Sequence, residues 1–250
     1  MTTILLMILI AILVIYCIKI KIKGKIIEKS FTSIVNHTFR TPLTRIKWMS
    51  DNLNPETTLA EQMDIAKNIS YSTNHLLEIV DTLAGIKDLN NGSVYAMKTI
   101  SLREIIEEGI SKFNKPLNEK KLKLQIPTFS SIPLLTADTK KLSFVIHSVL
   151  ENAIWYSKNE GKILIDANIS GNSINLSVSD DGIGMSWKDT LNVGDRFYRS
   201  TEAVKMNTDG MGLSLYMAKQ IMKMHGGRIS FKSSGRNRGS VFYIKIPISG

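Results

Sequence analysis

The sequence predicts a multidomain chain of three parts. An N-terminal transmembrane helix comes first, then an α-helical hairpin that pairs with a second copy into a dimeric four-helix bundle, then an α+β domain with helices on one face of a mostly antiparallel sheet. Three observations carry this. An uncharged apolar run, "ILLMILIAILVIYCI", fills residues 4–18. Two amphipathic stretches follow, with apolar residues every three or four positions, broken by "NPET" at 54–57. Beyond residue 98, helical periodicity alternates with two-residue periodicity, the pattern of a helix layer on a sheet. The three parts are residues 1–20, 21–88 and 98–250.

At about 1.5 Å per residue, the apolar run with its flanks approaches a hydrocarbon core of about 30 Å. A cleaved signal peptide would place positive charge before the run. Here Lys19, Lys21, Lys23 and Lys25 come after it. That order predicts a retained single-pass anchor in the cell membrane, with the rest of the chain cytoplasmic and the lysines against membrane lipid headgroups. The lysines account for part of the net charge of +10. No nucleic-acid recognition motif accompanies them, so nucleic acid is not an expected partner. The single cysteine, Cys17, excludes an internal disulfide and a cysteine-based zinc site.

In the hairpin, Phe31, Val35, Phe39, Leu43, Ile46, Met49 and Leu53 form one apolar stripe. Thr58 and Glu61 make a capping-box pattern that opens the second helix, whose stripe runs from Leu59 and Met63 through Ala66, Ile69, Leu76, Ile79, Val80 and Leu83 to Ile86. A hairpin alone cannot bury both stripes well, and a homodimer would. The turn-rich "DLNNGSVYA" at 88–96 reads as a linker. After it, "LREIIEEGISKF" reads as a helix and "KLKLQIP" as a strand. "TKKLSFVIHSVLENAIWYS" is a helix with Leu142, Val145, Ile146, Val149, Ala153 and Ile154 on its apolar face. "GKILIDANIS" and "SINLSVSD" read as a hairpin, "GLSLYMAKQIMKMHGG" as a helix stopped by glycine, and "GRISFKSS" with "GSVFYIKIPI" as a closing hairpin.

His37 lies two residues from both Val35 and Phe39, roughly 160–200° from the stripe at about 100° per residue. It is expected to face solvent, with Thr41 one turn on along the same face. Pro42 withholds its N–H and clashes with the carbonyl of residue 38, which predicts a local bend. A neutral imidazole with a free ring lone pair is a good phosphoryl acceptor near neutral pH.

The run "NHTFRTPL" resembles the phosphoacceptor box of sensor histidine kinases of two-component systems, in which an acid follows the histidine. That position is Thr38 here. Three further segments resemble the same family in its order. "SVLENAIWYS" resembles its N-box, with Asn152 in the Mg2+-binding place, Tyr156 at the family aromatic, and Ser148 and Trp155 where asparagine and a phosphate-contacting lysine are common. "VSDDGIGM" resembles the D-x-G-x-G box, with Asp180 as acceptor for the adenine amino group and Gly182 and Gly184 allowing close backbone approach. "TDGMGLSL" resembles the second glycine box, with Gly210 and Gly212 ahead of a helix start that can hold phosphate. Between them, "VGDRFYRS" places Arg199 at the family arginine that reaches the γ-phosphate, with residues 200–209 as a mobile lid.

The resemblance runs from about residue 27 to the C-terminus. It implies a phosphotransfer hairpin and an ATP-binding sandwich of the Bergerat (GHKL) type. ATP and Mg2+ would serve as cofactors, and a response-regulator receiver domain as partner. Two functions stay open. The chain autophosphorylates His37 and passes the phosphoryl group to the regulator's aspartate. Alternatively, with Thr38 unable to ionise, it acts mainly as a regulator phosphatase or docking scaffold through Thr41. His75, His147 and His225 are expected in surface or capping roles.

Overall fold

The computed structural model describes residues 36, 38–54, 56–90, 95–126, 132–208 and 210–248. The proposed anchor at 4–18 and His37 lie outside the described residues. Among the described residues no helix is long and apolar enough to cross a membrane. The chain divides into two compact units, with the boundary after Leu76.

In the first unit, helix α1 (residues 38–51) runs without interruption through Pro42. Pro42 withholds one N–H, and the flanking turns carry the helix past it. Thr38 and Pro42 are buried, while Phe39, Thr41, Ile46 and Met49 are half-buried. Thr41 is therefore less open than its predicted solvent-facing place. The turn closes on Asn54, whose carbonyl takes the Thr57 hydroxyl at 2.6 Å. The capping box opens α2 (Leu59–Asn90) as its sequence requires: Thr58 N–H donates to Glu61 at 2.8 Å, and Glu61 N–H to the Thr58 hydroxyl at 3.3 Å. Leu43, Leu53, Leu59 and Met63 are 51–73% exposed, so part of each apolar stripe has no cover among the described residues.

The helix α2 continues to Asn90, three residues into the stretch read as a linker. Its last turns belong to the second unit. There Leu83 and Ile86 pack against Leu213, Met217 and Met211.

The second unit is a five-stranded sheet in the order β2-β4-β5-β7-β6, formed by β2 (Lys123–Gln125), β4 (Lys162–Ser170), β5 (Ser173–Asp180), β6 (Arg228–Lys232) and β7 (Ser240–Pro247). Only the β2–β4 pair is parallel. Both predicted hairpins form, with Ile163 opposite Asp180 and Phe231 opposite Phe242. Alternation sorts each strand. Ile163, Ile165, Ile174, Leu176, Val178 and Ile244 are fully buried on one face.

Helices α3 (Leu102–Lys112), α5 (Thr139–Tyr156) and α8 (Ser214–Met224) cover that face. All six residues predicted for the apolar face of α5 are at most 3% exposed. Burying such a side chain stabilises by about 1.5–3 kcal/mol. The sequence reading missed a two-stranded sheet of β1 (Met97–Ile100) with β3 (Leu135–Asp138), and the short helices α4 (Asn114–Glu119), α6 (Trp187–Asn192) and α7 (Thr201–Met206). Elements of four to six residues are too short for a period to emerge.

Asp138 ties these pieces together. One carboxylate oxygen caps α5 by accepting Lys141 N–H at 3.1 Å, and the other accepts Ala96 N–H at 3.0 Å. Its own N–H donates to His225 Nε2 at 3.2 Å. His225 Nδ1 in turn lies 2.9 Å from the Ile221 carbonyl, which assigns the neutral ring with its proton on Nδ1. His225 thus ends α8 as expected but is a buried strut rather than a surface residue.

Candidate functional site

One cleft in the second unit gathers most of the residues singled out from the sequence. It is lined by Asn152 and Tyr156 from α5, Asp180 from the end of β5, Gly184, Arg199, and Gly210 with Gly212 ahead of α8. The α5 helix serves two masters through its period. Val149 and Ala153 enter the core, while Glu151, Asn152, Trp155 and Tyr156 turn to the cleft. The Asn152 amide nitrogen donates to the Ser148 carbonyl at 2.6 Å. That leaves its side-chain carbonyl oxygen as the atom it can offer a cation.

Asp180 is 8% exposed. Its Oδ1 accepts the Gly182 N–H at 2.9 Å. Burial pushes its carboxyl up to about 6, against the lowering effect of hydrogen bonds from Gly182 and Ser240 backbone. Above that pH it is a carboxylate in an apolar-walled cleft, an acceptor for a donor such as an exocyclic amine.

Gly182 is not in the cleft wall. A Cβ there would collide with the Tyr156 carbonyl, the same carbonyl that accepts Ile183 N–H at 3.0 Å. The close backbone approach predicted for this glycine is to the end of α5, and it seats the loop that carries Asp180. Gly184 has φ +63°, and a Cβ would meet the Gly235 carbonyl. The α8 helix begins on Leu213 with no side-chain cap, so its first N–H groups remain for an anion.

Arg199 lines the cleft, but its donors are engaged. It bonds the carbonyls of Gly210 at 2.7 Å and Ala203 at 2.9 Å, and that of Asn207. The predicted lid contains a formed helix, α7, capped by the Ser200 hydroxyl accepting Ala203 N–H at 3.1 Å.

Tyr198 and Asp189 also line the cleft and were not picked from the sequence. The Tyr198 hydroxyl donates to Asp189 at 2.7 Å, and burial, helped by this bond to a carboxylate, pushes the phenol up to about 12. Asp189 also closes the capping box of α6 with Ser186. The Ser-x-x-Asp pattern at 186–189 was the available signal. Lys120, also missed, donates to the carbonyls of Ile154, Trp155 and Ser157 at 2.6–3.1 Å and so caps the end of α5. Thr41 belongs to the first unit and does not line this cleft.

Among the described residues no cluster of three or more His, Cys, Asp or Glu side chains could hold a metal. A hard cation such as Mg2+ fits a different arrangement, in which one or two protein oxygens are joined by phosphate and water oxygens. Asn152 suits that arrangement.

Residues 137–250 match the family described as histidine kinase-, DNA gyrase B-, and HSP90-like ATPase. The chain is 26% identical over 225 residues to the circadian input-output histidine kinase CikA of Synechococcus elongatus, covering 87% of this chain and 29% of that protein. It is 27% identical over 237 residues to the sensor protein kinase WalK of Staphylococcus haemolyticus, covering 88% of this chain and 36% of the relative. The chain thus spans about a third of the length of these relatives. Among solved structures, it resembles full-length ShkA in complex with AMPPNP, with a TM-score of 0.63 and 21% identity over 88% of this chain and 45% of that one. It also resembles the histidine kinase ThkA in complex with the response regulator TrrA, with a TM-score of 0.64 and 23% identity over 87% of this chain and 61% of that one. At these identities the structural likeness speaks for the fold.

Proposed function

From the premise that residues 137–250 are a histidine kinase-, DNA gyrase B- and HSP90-like ATPase domain in a chain whose relatives are sensor histidine kinases, we propose that this protein is a two-component sensor histidine kinase. It transfers the γ-phosphoryl group of ATP to His37 and then to an aspartate of a response-regulator receiver domain. The observation that carries this reading is the convergence of Asn152, Asp180, Gly184, Gly210 and Gly212 on one cleft.

In that cleft the Asp180 carboxylate accepts a hydrogen bond from the adenine amino group, and the N–H groups opening α8 face the phosphates. Asn152 offers its carbonyl oxygen to Mg2+. When bound, the ion neutralises charge on the phosphate oxygens. In the transfer step a bond forms between the His37 imidazole nitrogen and the γ-phosphorus, and the bond to the ADP oxygen breaks. Positioning and charge stabilisation do most of this work. A homodimer covers Leu43, Leu53, Leu59 and Met63, and residues 4–18 hold the protein in the cell membrane by a single span against its lipid.

Thr38 favours a second reading. It cannot ionise, and it is buried. A general base typically contributes about 10²–10⁴ in rate. Without one, the chain acts chiefly as a phosphatase or scaffold for its regulator, with Thr41 orienting water.

The test is autophosphorylation of the full chain in nanodiscs with γ-labelled ATP and Mg2+. Acid-labile label that disappears in His37→Ala and Asn152→Ala supports the kinase. Label seen only in Thr38→Glu supports the second reading. No label in either protein, with no dephosphorylation of a receiver domain, refutes both.

A further inference from the structure

The face of the five-stranded sheet turned away from the helices has no cover among the described residues, and its charge is one-sided. Strand register places Lys232, Val241, Ser179 and Leu164 in one row across this face. The next row holds Ser230, Tyr243, Ser177 and Asp166, and a third holds Arg228, Lys245, Asn175 and Asn168. Lys123 and Lys162 pair beyond the first row. All five basic side chains are exposed, against two acids, Asp166 and Asp181, the second accepting the Lys162 backbone N–H at 3.0 Å. Among the described residues none of the five is in an ion pair. Tyr243 lies at the centre, 37% exposed, with the Lys232 ammonium 5.5 Å from its ring centroid.

We propose that this open sheet face docks on the anionic lipid surface of the membrane in which the chain is anchored. Charge is the first argument: several unpaired cations on one face are attracted to an anionic surface within a Debye length. The second is the lone tyrosine among them, an amphipathic ring of the kind that settles at headgroup level. A nucleic acid strand would call for a series of stacking aromatics, and this face has one. The third is length. If residues 4–18 span the bilayer, residues 19–35 separate that span from the first described residue, no more than about 60 Å even when fully extended. The chain beyond is therefore held near lipid at high effective concentration. This third argument rests on the proposed anchor, whereas the first two rest on the sheet alone.

The test uses full-length Cys17→Ser/Ser230→Cys protein carrying an environment-sensitive dye at position 230. It is reconstituted in nanodiscs of phosphatidylcholine, with or without about one-third phosphatidylglycerol. Expected is a blue shift only in the anionic discs, abolished in about 1 M salt, where the Debye length falls to about 3 Å. Arg228→Gln/Lys232→Gln/Lys245→Gln protein should lose the shift while binding a nucleotide analogue as the parent does. At roughly fivefold per cation, its association with added phosphatidylglycerol vesicles should weaken on the order of a hundredfold. Equal shifts in both discs, or none in either, overturn the proposal. So does a shift in phosphatidylcholine discs on adding an oligonucleotide or polyglutamate, with no response to phosphatidylglycerol, which gives the face to that partner instead. A chain that does not enter discs fails the anchor reading alone. Added phosphatidylglycerol vesicles must then still shift the dye, and if they do not, the proposal is wrong.

Discussion

The guanidinium of Arg199 donates to the carbonyl of Gly210 at 2.7 Å and to the carbonyls of Ala203 on α7 and of Asn207, the residue that ends it. One side chain thereby holds the start of the second glycine box to the helix of the lid segment. Helix ends leave carbonyls without partners, and a rigid fork of five donors can serve several at once. A phosphate that recruits this guanidinium must take it from those carbonyls, so ligand binding and lid order are coupled through Arg199.

Replacing Arg199 by Ala should free the lid. Hydrogen bonds to a charged group contribute roughly 1.5–3 kcal/mol each. Amide exchange across residues 201–208 is expected to speed up at least tenfold, with little change in the exchange of β4 and β5. Arg199→Lys should restore only part of the protection, because an ammonium does not reproduce the planar fork. Unchanged exchange in Arg199→Ala would show that the lid helix holds itself.

If Asp180 accepts from the nucleotide base, binding should depend on pH. Its carboxyl is pushed up to about 6 by burial. Below that pH it is protonated and loses its strength as an acceptor, so nucleotide affinity should fall as pH drops from 7 to 5. The effect on stability has the opposite sign. A folded-state value above the ordinary 3.8 means that the charged form is disfavoured by folding, so this residue's contribution grows more favourable as pH falls through 6 toward 3.8. Asp180→Asn should therefore leave the thermal midpoint equal or higher while weakening nucleotide binding about 10–100-fold, the worth of a charge-assisted hydrogen bond. A flat affinity between pH 5 and 7 would remove Asp180 from base recognition.

Two glycines should respond differently to the same added methyl. In Gly182→Ala the new Cβ meets the Tyr156 backbone carbonyl, which cannot rotate away. Overpacking of this kind costs about 1–3 kcal/mol or more. Gly171, in the β4–β5 turn, has φ +58° but open space around its Cβ position, so Gly171→Ala should cost only about 1 kcal/mol of backbone strain. Chemical denaturation of both variants decides this, and equal losses would deny the steric reading.

Asn152→Ala should act through the cation. Nucleotide affinity in the parent is expected to rise with added Mg2+, and in the variant that rise should largely vanish while affinity without metal stays within about threefold, a small fraction of a typical hydrogen bond. Titration calorimetry at several Mg2+ concentrations separates the two. A parallel rise in both proteins would place the metal elsewhere.

Leu59 and Met63 lie one turn apart on α2 and are 73% and 67% exposed. If they meet a second copy, Leu59→Glu/Met63→Glu buries charge at that contact and should convert a dimer to a monomer in sedimentation. An unchanged mass would leave the stripe without that role.

Local chemistry determined much of what the sequence by itself made legible. The Thr58–Glu61 capping box, the apolar face of α5 and both strand hairpins depend on residues within a few turns of one another, so their periods and caps can be read in order. The two glycine boxes and Asn152 were legible as motifs for the same reason. Only the tertiary structure decided what those motifs touch. Gly182 proved to face the Tyr156 carbonyl rather than the cleft, and Arg199 the lid carbonyls, because the partners come from α5 and from residues 203–210. His225, an unremarkable helix end in sequence, became a buried link to Asp138, 87 residues away. Such pairings are set by packing across the whole core, where contact depends on the path of the chain in space and no periodicity along it carries the information.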